Sequence, residues 1–363
     1  MAHRPLFGHH ELRSRLARSW QEGRLPSSLL LQGQRGVGKQ RLALWLGQLM
    51  LCERTLPDGL LEPCGNCRSC RYSERGVHPD LHWFFPRPKL KDPDPSPEDV
   101  AEDIAEAVSE RMERDGLWSA PSGTEGLYLA TVRALVHQAS LRPAMSARGI
   151  FVVGDAERMV PQEGSEQAAN AFLKMLEEPP PTTTIILTSS EPGALLPTIR
   201  SRVVTLRVPA LAQADVEAFL DDPAVQRRLS GLTRHDAIAR AGGAPGELLT
   251  GEANATAFSA ARWLLDAALE PASPAGAAQR IKVAARQGVA GARGAFTDTL
   301  DAMAVLLHGR VRQLLSQGLN AEARRTAAAV TILQDVKLKA QGNVSPQLLG
   351  AALVQDLHEA LRQ

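Results

Sequence analysis

One heptapeptide constrains the fold more than any other part of the chain. An apolar segment, Ser27–Leu31, runs into the sequence GQRGVGK at 33–39, and apolar residues then recur at helical spacing over Leu42–Leu49. The heptapeptide matches the pattern G-x-x-x-x-G-K, in which backbone N–H groups turn toward a phosphate at the start of a helix. We therefore predict a buried strand, a phosphate-binding loop and a helix in this order.

The candidate nucleotide-binding residues of this loop are Gly33, Gly36, Gly38 and Lys39, with the lysine reaching the β- and γ-phosphates. The next residue, Gln40, stands where a serine or threonine hydroxyl would ligate Mg²⁺. A glutamine carbonyl is poorly placed for the tight octahedral geometry of that ion. Three outcomes stay open: the loop binds nothing, it binds ATP without hydrolysis, or it hydrolyses ATP.

A second acidic element is also incomplete. The apolar segment Ile150–Val153 is followed by Gly154, Asp155, Ala156 and Glu157. In P-loop ATPases such a strand ends in an aspartate that holds Mg²⁺, often followed by a glutamate that polarises the attacking water. One register puts Gly154 in the metal position, and the other puts Ala156 in the catalytic position. Either register loses a carboxylate, so we expect hydrolysis to be very slow or absent.

The remaining pattern predicts a parallel α/β sheet followed by helices. Further strands are expected at Thr184–Thr188 and Val203–Val208, with a helix over Ser165–Glu178 between the second and third predicted strands. No strand signal recurs after about Leu211. With 363 residues, two or three domains are expected. We place a P-loop domain at 1–208, a small helical domain at 209–253 and an all-helical domain at 254–363.

Four cysteines lie within nineteen residues, with the spacing Cys52-x11-Cys64-x2-Cys67-x2-Cys70. Four thiolates suit a closed tetrahedral zinc site that holds an insertion in place rather than catalysing a reaction. The Cys-x2-Cys-x2-Cys run also resembles part of an iron–sulfur motif, and four free thiols are the third alternative.

A second insertion is predicted over residues 86–127. Its first part is rich in proline and aspartate, and ten acidic but only three basic residues lie between Lys91 and Asp115. Although Val100, Ile104 and Val108 share a helical face, we expect a solvated, partly disordered segment. An acidic arm that binds a partner is the alternative.

Charge and hydropathy exclude several classes of function. The net charge is +1, so no global field marks a nucleic-acid binder and any DNA contact must come from a local patch. No apolar run is long enough to span a membrane, and the N-terminus lacks a secretory apolar segment. We expect a cytoplasmic protein.

The order of these motifs resembles that of the clamp-loader branch of the AAA+ family. Beside the loop and the cysteines, the resemblance rests on NAFLKMLEEPP at 170–180, LLPTIRSR at 195–202 and AGGAPG at 241–246. It covers roughly residues 5–250, and the C-terminal third is similar only in length and helical character. The resemblance implies an AAA+ P-loop domain with a zinc insertion, a helical lid domain and an all-α collar domain for oligomerisation.

The resemblance also implies a role. The chain would be a non-motor subunit of a sliding-clamp loader, in a ring with motor subunits and a clamp-opening subunit that loads the clamp onto primed DNA. Arg202 would serve a neighbouring subunit's ATP as a trans arginine finger, or else make a structural salt bridge. Thr188 would be a nucleotide sensor or merely core, and no lid arginine that senses nucleotide stands near Gly246 and Glu247.

Two other functions stay open at this point. The chain could be an active clamp-loader ATPase that tolerates Gln40, or a DNA-repair or DNA-binding module of the same superfamily that works without a clamp. ATP turnover of the protein alone distinguishes the active ATPase from the non-motor subunit. Association with a polymerase complex distinguishes the clamp-loader subunit from the DNA-repair or DNA-binding module.

Overall fold

The structure is a computed structural model that describes residues 3, 5–54, 62–119, 125–159, 166–229, 233–249, 252–270, 293–340 and 345–362. The chain divides into two compact units. The first comprises Met1–Pro121 and Glu125–Leu249, and the second comprises Ser122–Thr124 and Thr250–Gln363. The predicted boundary at 208 falls inside the first unit and stays a prediction.

The first unit alternates strands and helices before it ends in helices alone. Its elements are α1 (His10–Gln21), β1 (Ser28–Gln32), α2 (Lys39–Leu51), α3 (Arg68–Glu74), β2 (Leu81–Phe84), α4 (Pro97–Glu113), α5 (Leu129–Ser140), β3 (Gly149–Val153), α6 (Glu166–Glu177), β4 (Thr183–Ser189), α7 (Pro197–Arg200), β5 (Val204–Arg207), α8 (Gln213–Leu220), α9 (Pro223–Arg228) and α10 (Arg234–Ala241). Single 3₁₀ segments lie at Ala156–Arg158 and Pro245–Leu249. We call α8, α9, α10 and the segment Pro245–Leu249 the lid helices, after the lid domain that the sequence resemblance predicts.

The five strands form one fully parallel sheet in the order β2-β3-β4-β1-β5. Nearly every residue of β1, β3 and β4 is buried, as expected for a parallel sheet that helices cover on both faces. The predicted mixed α/β fold with a parallel sheet is confirmed. The four strands predicted from the sequence are present, and β2 was missed because its four residues precede Pro86 and include a histidine.

The shared helical face of Val100, Ile104 and Val108 is confirmed, whereas the expectation of a solvated, partly disordered segment is wrong for the helix that contains them. Helix α4 begins with a capping box, in which the Ser96 hydroxyl accepts from the Asp99 N–H and Asp99 accepts from the Ser96 N–H. Its apolar face is buried in the core of the first unit, although the opposite face carries the acidic residues. The buried residues of α4 are Val100, Ile104, Ala107, Val108 and Met112. Residues 120–124 of the predicted insertion lie outside the described part of the chain, as does Ser165 of the predicted helix.

The described residues of the second unit form only helices: α11 (Glu252–Leu269), α12 (Arg293–Ser316), α13 (Asn320–Ala340) and α14 (Pro346–Arg362). All four contribute to one apolar core, in which the side chains of Leu264, Leu300, Leu333 and Leu353 are buried. No helix within the described ranges has the length and apolar character that a membrane span requires.

Candidate functional site

The predicted phosphate-binding loop connects β1 to α2 at the carboxyl edge of the sheet. Gly36 and Gly38 adopt φ angles of +74° and +95°, which favour glycine, and Gly38 caps α2. Gly33 is required for a different reason, since a Cβ there would lie 2.4 Å from the carbonyl oxygen of Val208. The structure therefore brings the predicted glycines together in a loop at the start of a helix.

The amine of Lys39 folds back onto this loop. Its Nζ donates to the carbonyl oxygens of Gly33 and Gln34 and to Oγ of Ser190, each at 2.9 Å. The residue is only 5% exposed, and burial lowers the pKa of its amine against the opposing effect of nearby carboxylates. Ser190, directly after β4, is a contact that the sequence did not reveal.

Gln40 occupies the space beside the second acidic element. Its Nε2 donates to Oδ2 of Asp155 at 2.9 Å, and its Oε1 accepts from the indole N–H of Trp83 at 3.0 Å. A Cβ on Gly154 would lie 2.6 Å from the Gln40 amide group. Residue 154 therefore faces the residue after the P-loop lysine, which favours the register in which glycine stands in the metal position.

Glu157 is a buried carboxyl that sequence reasoning did not single out. One carboxylate oxygen, Oε1, accepts from the backbone N–H of Ser190 at 2.9 Å, whereas Oε2 is buried without a hydrogen-bond partner. Burial, followed by repulsion from Asp155, raises the pKa of Glu157 to about 7 although Lys39 opposes the shift. No sequence motif marked it, because its burial depends on the turn at Asp155, where φ is +48°.

Thr188 belongs to the same cluster. The residue is fully buried in β4, and its Oγ1 accepts from the backbone N–H of Asp155 at 3.0 Å. This bond fixes the turn that follows β3. The Thr188 hydroxyl is therefore engaged by the backbone of this turn, next to the acidic element.

The lid helices contact the predicted phosphate-binding loop directly. The backbone N–H of Gly246 donates to the carbonyl oxygen of Gly36 at 2.9 Å, and a Cβ on Gly246 would meet the backbone of Gly36 at 2.8 Å. The adjacent Glu247 is 5% exposed and lies 3.6 Å from Nε of Arg35. Gly246, near which the sequence offers no nucleotide-sensing arginine, is thus in close backbone contact with Gly36.

The four cysteines converge as predicted, with all four sulfur atoms within 4.8 Å of one another. The Cys52–Cys67 and Cys64–Cys70 sulfur distances are 4.0 and 3.9 Å. A tetrahedron with 2.3 Å metal–sulfur bonds has edges of about 3.8 Å, so the donor set fits a metal ion of this geometry.

Backbone N–H groups donate to three of the four cysteine sulfurs. Hydrogen bonds reach the sulfurs of Cys52, Cys64 and Cys67 from the N–H groups of residues 64, 67 and 70. Burial opposes ionisation of Cys64, but hydrogen bonds, chiefly from backbone N–H groups, outweigh it and lower the pKa of Cys64 to about 6, whereas burial raises the pKa of Cys52 and of Cys70. The cluster can hold a metal ion, although residues 55–61 between its first two members lie outside the described part of the chain.

Arg202 lies just after α7 and is held by its own chain. Its guanidinium forms an ion pair with Glu177 and donates from Nη1 to the carbonyl oxygen of Thr198 at 2.8 Å. Its side chain is 29% exposed, so the group reaches the surface of the first unit. The contact with Glu177 is the salt bridge that the sequence left as the alternative to a finger role.

Comparisons with known proteins identify the family. Residues 8–212, more than half of the chain, match the family model described as DNA polymerase III, delta subunit. The chain is 29% identical over 228 residues to DNA polymerase III subunit delta' of Bacillus subtilis (strain 168), a match that covers 62% of this chain and 56% of the relative. It is 31% identical over 201 residues to the subunit delta' of Pseudomonas aeruginosa, covering 54% and 48%.

Further matches point the same way. Identity to the subunit delta' of Escherichia coli (strain K12) is 27% over 188 residues, covering 52% of this chain and 44% of the relative. The chain thus spans about half the length of the curated relatives it matches. A gamma subunit-related protein of Thermotoga maritima aligns with 96% of this chain and 99% of its own, at a TM-score of 0.37 and 16% identity, which is too loose to support an argument. Because the family model covers more than half of its residues, the chain belongs to the DNA polymerase III delta subunit family.

Proposed function

We propose that this protein is a non-motor subunit, of the delta' type, in a DNA polymerase III sliding-clamp loader. The family match over residues 8–212 and the delta' relatives support this role. In it, the chain assembles with gamma or tau motor subunits and a delta subunit. Together they place the sliding clamp on primed DNA, which this subunit meets only indirectly.

The non-motor assignment rests on Gln40 and Gly154, which stand where an active ATPase would hold Mg²⁺. The amide of Gln40 bonds to Asp155 and fills the space in front of Gly154, where an active P-loop ATPase needs a hydroxyl and a carboxylate for Mg²⁺. Without these ligands the chain lacks the ion that neutralises developing charge on the phosphates. The alternative of an active motor subunit would require Gln40 to leave both of its hydrogen bonds. Binding of ATP without hydrolysis remains compatible with the loop.

The domain assignment follows from the same proposal. Residues 1–208 form an AAA+ P-loop domain, 209–253 its lid domain and 254–363 the collar through which the ring assembles. Cys52, Cys64, Cys67 and Cys70 hold one structural Zn²⁺, which would fix the short loops of the insertion by supplying four bonds to them.

Arg202 acts, in this proposal, on the ATP of a neighbouring motor subunit. A partly exposed guanidinium just after a short helix can cross a subunit interface and stabilise charge on a transferring γ-phosphoryl group. Glu177 and the carbonyl of Thr198 hold the Arg202 guanidinium in one orientation before assembly.

Reconstitution of the loader tests both parts of the proposal. The wild-type chain and its Arg202→Ala variant are each mixed with motor and delta subunits, and ATP turnover is measured with clamp and primed DNA present. Arg200→Ala, whose exposed side chain lies two residues away, is the matched control. We expect Arg202→Ala to lower turnover by about tenfold or more, since arginine fingers contribute strongly to catalysis.

The two parts fail in different ways. Turnover that is the same for Arg202→Ala and Arg200→Ala would remove the finger role while leaving the subunit in its complex. Failure of the wild-type chain to enter a complex with motor and delta subunits would remove the clamp-loader function itself.

A further inference from the structure

Helix α4 of the acidic insertion is followed by a short segment that reaches the lid helices. After α4, Asp115 and Gly116 adopt φ angles of +60° and +66°, and the backbone N–H of Gly116 closes the helix on the carbonyl of Arg111 at 2.9 Å. This left-handed pair turns the chain sharply. The residues Asp115–Ser119, which we call the tie segment, thereby leave the helix in the direction of the lid.

Three contacts fix the tie segment to the lid helices. Leu117 is 4% exposed and belongs to their apolar core. The other buried members of that core are Val216, Phe219, Leu220, Ala224, Val225, Ala237, Ala241 and Leu248. At the two ends of the segment, Asp115 pairs with Arg227 at 3.2 Å and the Ser119 hydroxyl donates to the carbonyl oxygen of Leu249 at 2.8 Å. A residue of the insertion is therefore part of the lid's own core.

Trp118 fixes the same segment to the sheet. Its ring packs nearly edge-to-face on Trp83 of β2, with ring centroids 4.8 Å apart. The guanidinium of Arg111 lies 4.6 Å from the Trp83 ring and 5.2 Å from the Trp118 ring. Trp83 also donates to Gln40, so packing continues from the tie segment to the residue after the P-loop lysine. Consecutive residues, Leu117 and Trp118, thus anchor to the lid and to the sheet.

The tie segment borders the cavity at the phosphate-binding loop. This cavity, of about 150 Å³, is lined by residues of the loop, of the lid helices and of the tie segment together. A nucleotide bound in such a cavity would contact both the loop and the lid, and would join them. Here the chain joins them itself, through the tie segment and through the bond from Gly246 to Gly36.

We propose that the tie segment Asp115–Ser119 holds the lid helices against the sheet beside the phosphate-binding loop, in place of a nucleotide. The lid then keeps one position whether or not a nucleotide is present, because a covalently attached anchor is always at its site. The acidic insertion has a mechanical role in this account. The proposal concerns the first unit alone and does not depend on the arginine finger.

Hydrogen exchange measured by mass spectrometry on the full chain tests this role. Leu117→Ala removes the anchor in the lid core, and Leu141→Ala, at a leucine that is 52% exposed, is the matched control. We expect Leu117→Ala to accelerate amide exchange in peptides covering α8 and α9 by about tenfold, because local opening controls exchange there. Exchange in β4 should stay within about twofold of the wild-type rate. Lid exchange equal to that of the Leu141→Ala control would overturn the proposal.

Two further arms keep the test decisive. If Leu117→Ala does not fold, Ser119→Ala removes only the bond to Leu249, and we expect at least about threefold faster exchange confined to the lid helices. Unchanged lid exchange in that variant would overturn the proposal. In the wild-type chain, ATP with Mg²⁺ at millimolar concentration should change lid exchange by less than about twofold. A tenfold slowing on addition of ATP would show that nucleotide, not the tie segment, holds the lid.

Discussion

Gln40 of α2 donates a hydrogen bond from Nε2 to Oδ2 of Asp155, two residues after β3, across 2.9 Å. The same amide group lies where a side chain on Gly154 would have to stand. Gln40 and Gly154, the two departures from an active ATPase site, are therefore packed against each other. A glutamine fills the volume that the missing carboxylate and metal ion would share, and its polar atoms are satisfied by Asp155 and Trp83.

Adding a methyl group at Gly154 should be costly for this reason. Gly154→Ala places a Cβ 2.6 Å from the Gln40 amide, so we expect the free energy of unfolding of the first unit to fall by about 1–3 kcal/mol. Urea unfolding followed by tryptophan fluorescence measures this change. In a Gln40→Ala background the cost of Gly154→Ala should drop below about 1 kcal/mol, as a double-mutant cycle would show. An equal cost in both backgrounds would contradict the arrangement.

The pairing of Gln40 with Gly154 also shows how far the sequence could be interpreted. Both residues could be identified from the sequence because each interrupts a short motif of known spacing, and the parallel sheet followed from strands alternating with helices. Trp83 and Glu157 could not be identified, since their roles depend on which strands are neighbours and on a left-handed turn at Asp155. The helical face of α4 could be predicted, but its burial could not, because acidic residues dominate the composition whereas the apolar face decides where the helix packs.

The protein alone should not turn over ATP. In the proposed non-motor subunit Gln40 and Gly154 stand where Mg²⁺ ligands would be needed, so we expect steady-state hydrolysis by the wild-type chain to equal that of Lys39→Ala within error. Hydrolysis is measured as phosphate release with Mg²⁺ and saturating ATP. Clear activity that Lys39→Ala abolishes would show an active site and would contradict the non-motor assignment.

The four-cysteine cluster should contain zinc. Elemental analysis of the purified chain is expected to give about one zinc per chain and no visible absorption band, since Zn²⁺ has a filled d shell. Cys64→Ser should lower the zinc content to near zero, because a closed tetrahedral site loses one of its four ligands. Ser69→Ala is the control, as this hydroxyl bonds to Glu53 and not to a cysteine sulfur.

Two other outcomes of the metal analysis would contradict the zinc site. Iron with sulfide, together with a brown colour, would show that the cysteines hold an iron–sulfur cluster, which the same spacing permits. Full reactivity of all four thiols toward a thiol reagent in the native protein, with no metal detected, would show free cysteines.

Glu157 should make the stability of the first unit depend on pH. Its folded pKa of about 7, raised by burial from an ordinary value of 4.5, means that the folded state retains a proton that the unfolded state loses first. The stability contributed by this proton is fully present below pH 4.5 and is lost as pH rises through about 7. The shift corresponds to roughly 3 kcal/mol at most.

Glu157→Gln replaces the protonated carboxyl by a neutral group of the same shape, so its cost should be small at pH 5. At pH 8 the variant should be more stable than the wild type by about 3 kcal/mol, since the wild type must then hold a buried carboxylate beside Asp155. Urea unfolding at pH 5, 6, 7 and 8 measures the difference. The exposed Glu178, changed to Gln, is the control for the substitution itself. A Glu157→Gln difference that does not grow with pH would show that this carboxyl is already ionised in the folded protein at pH 5.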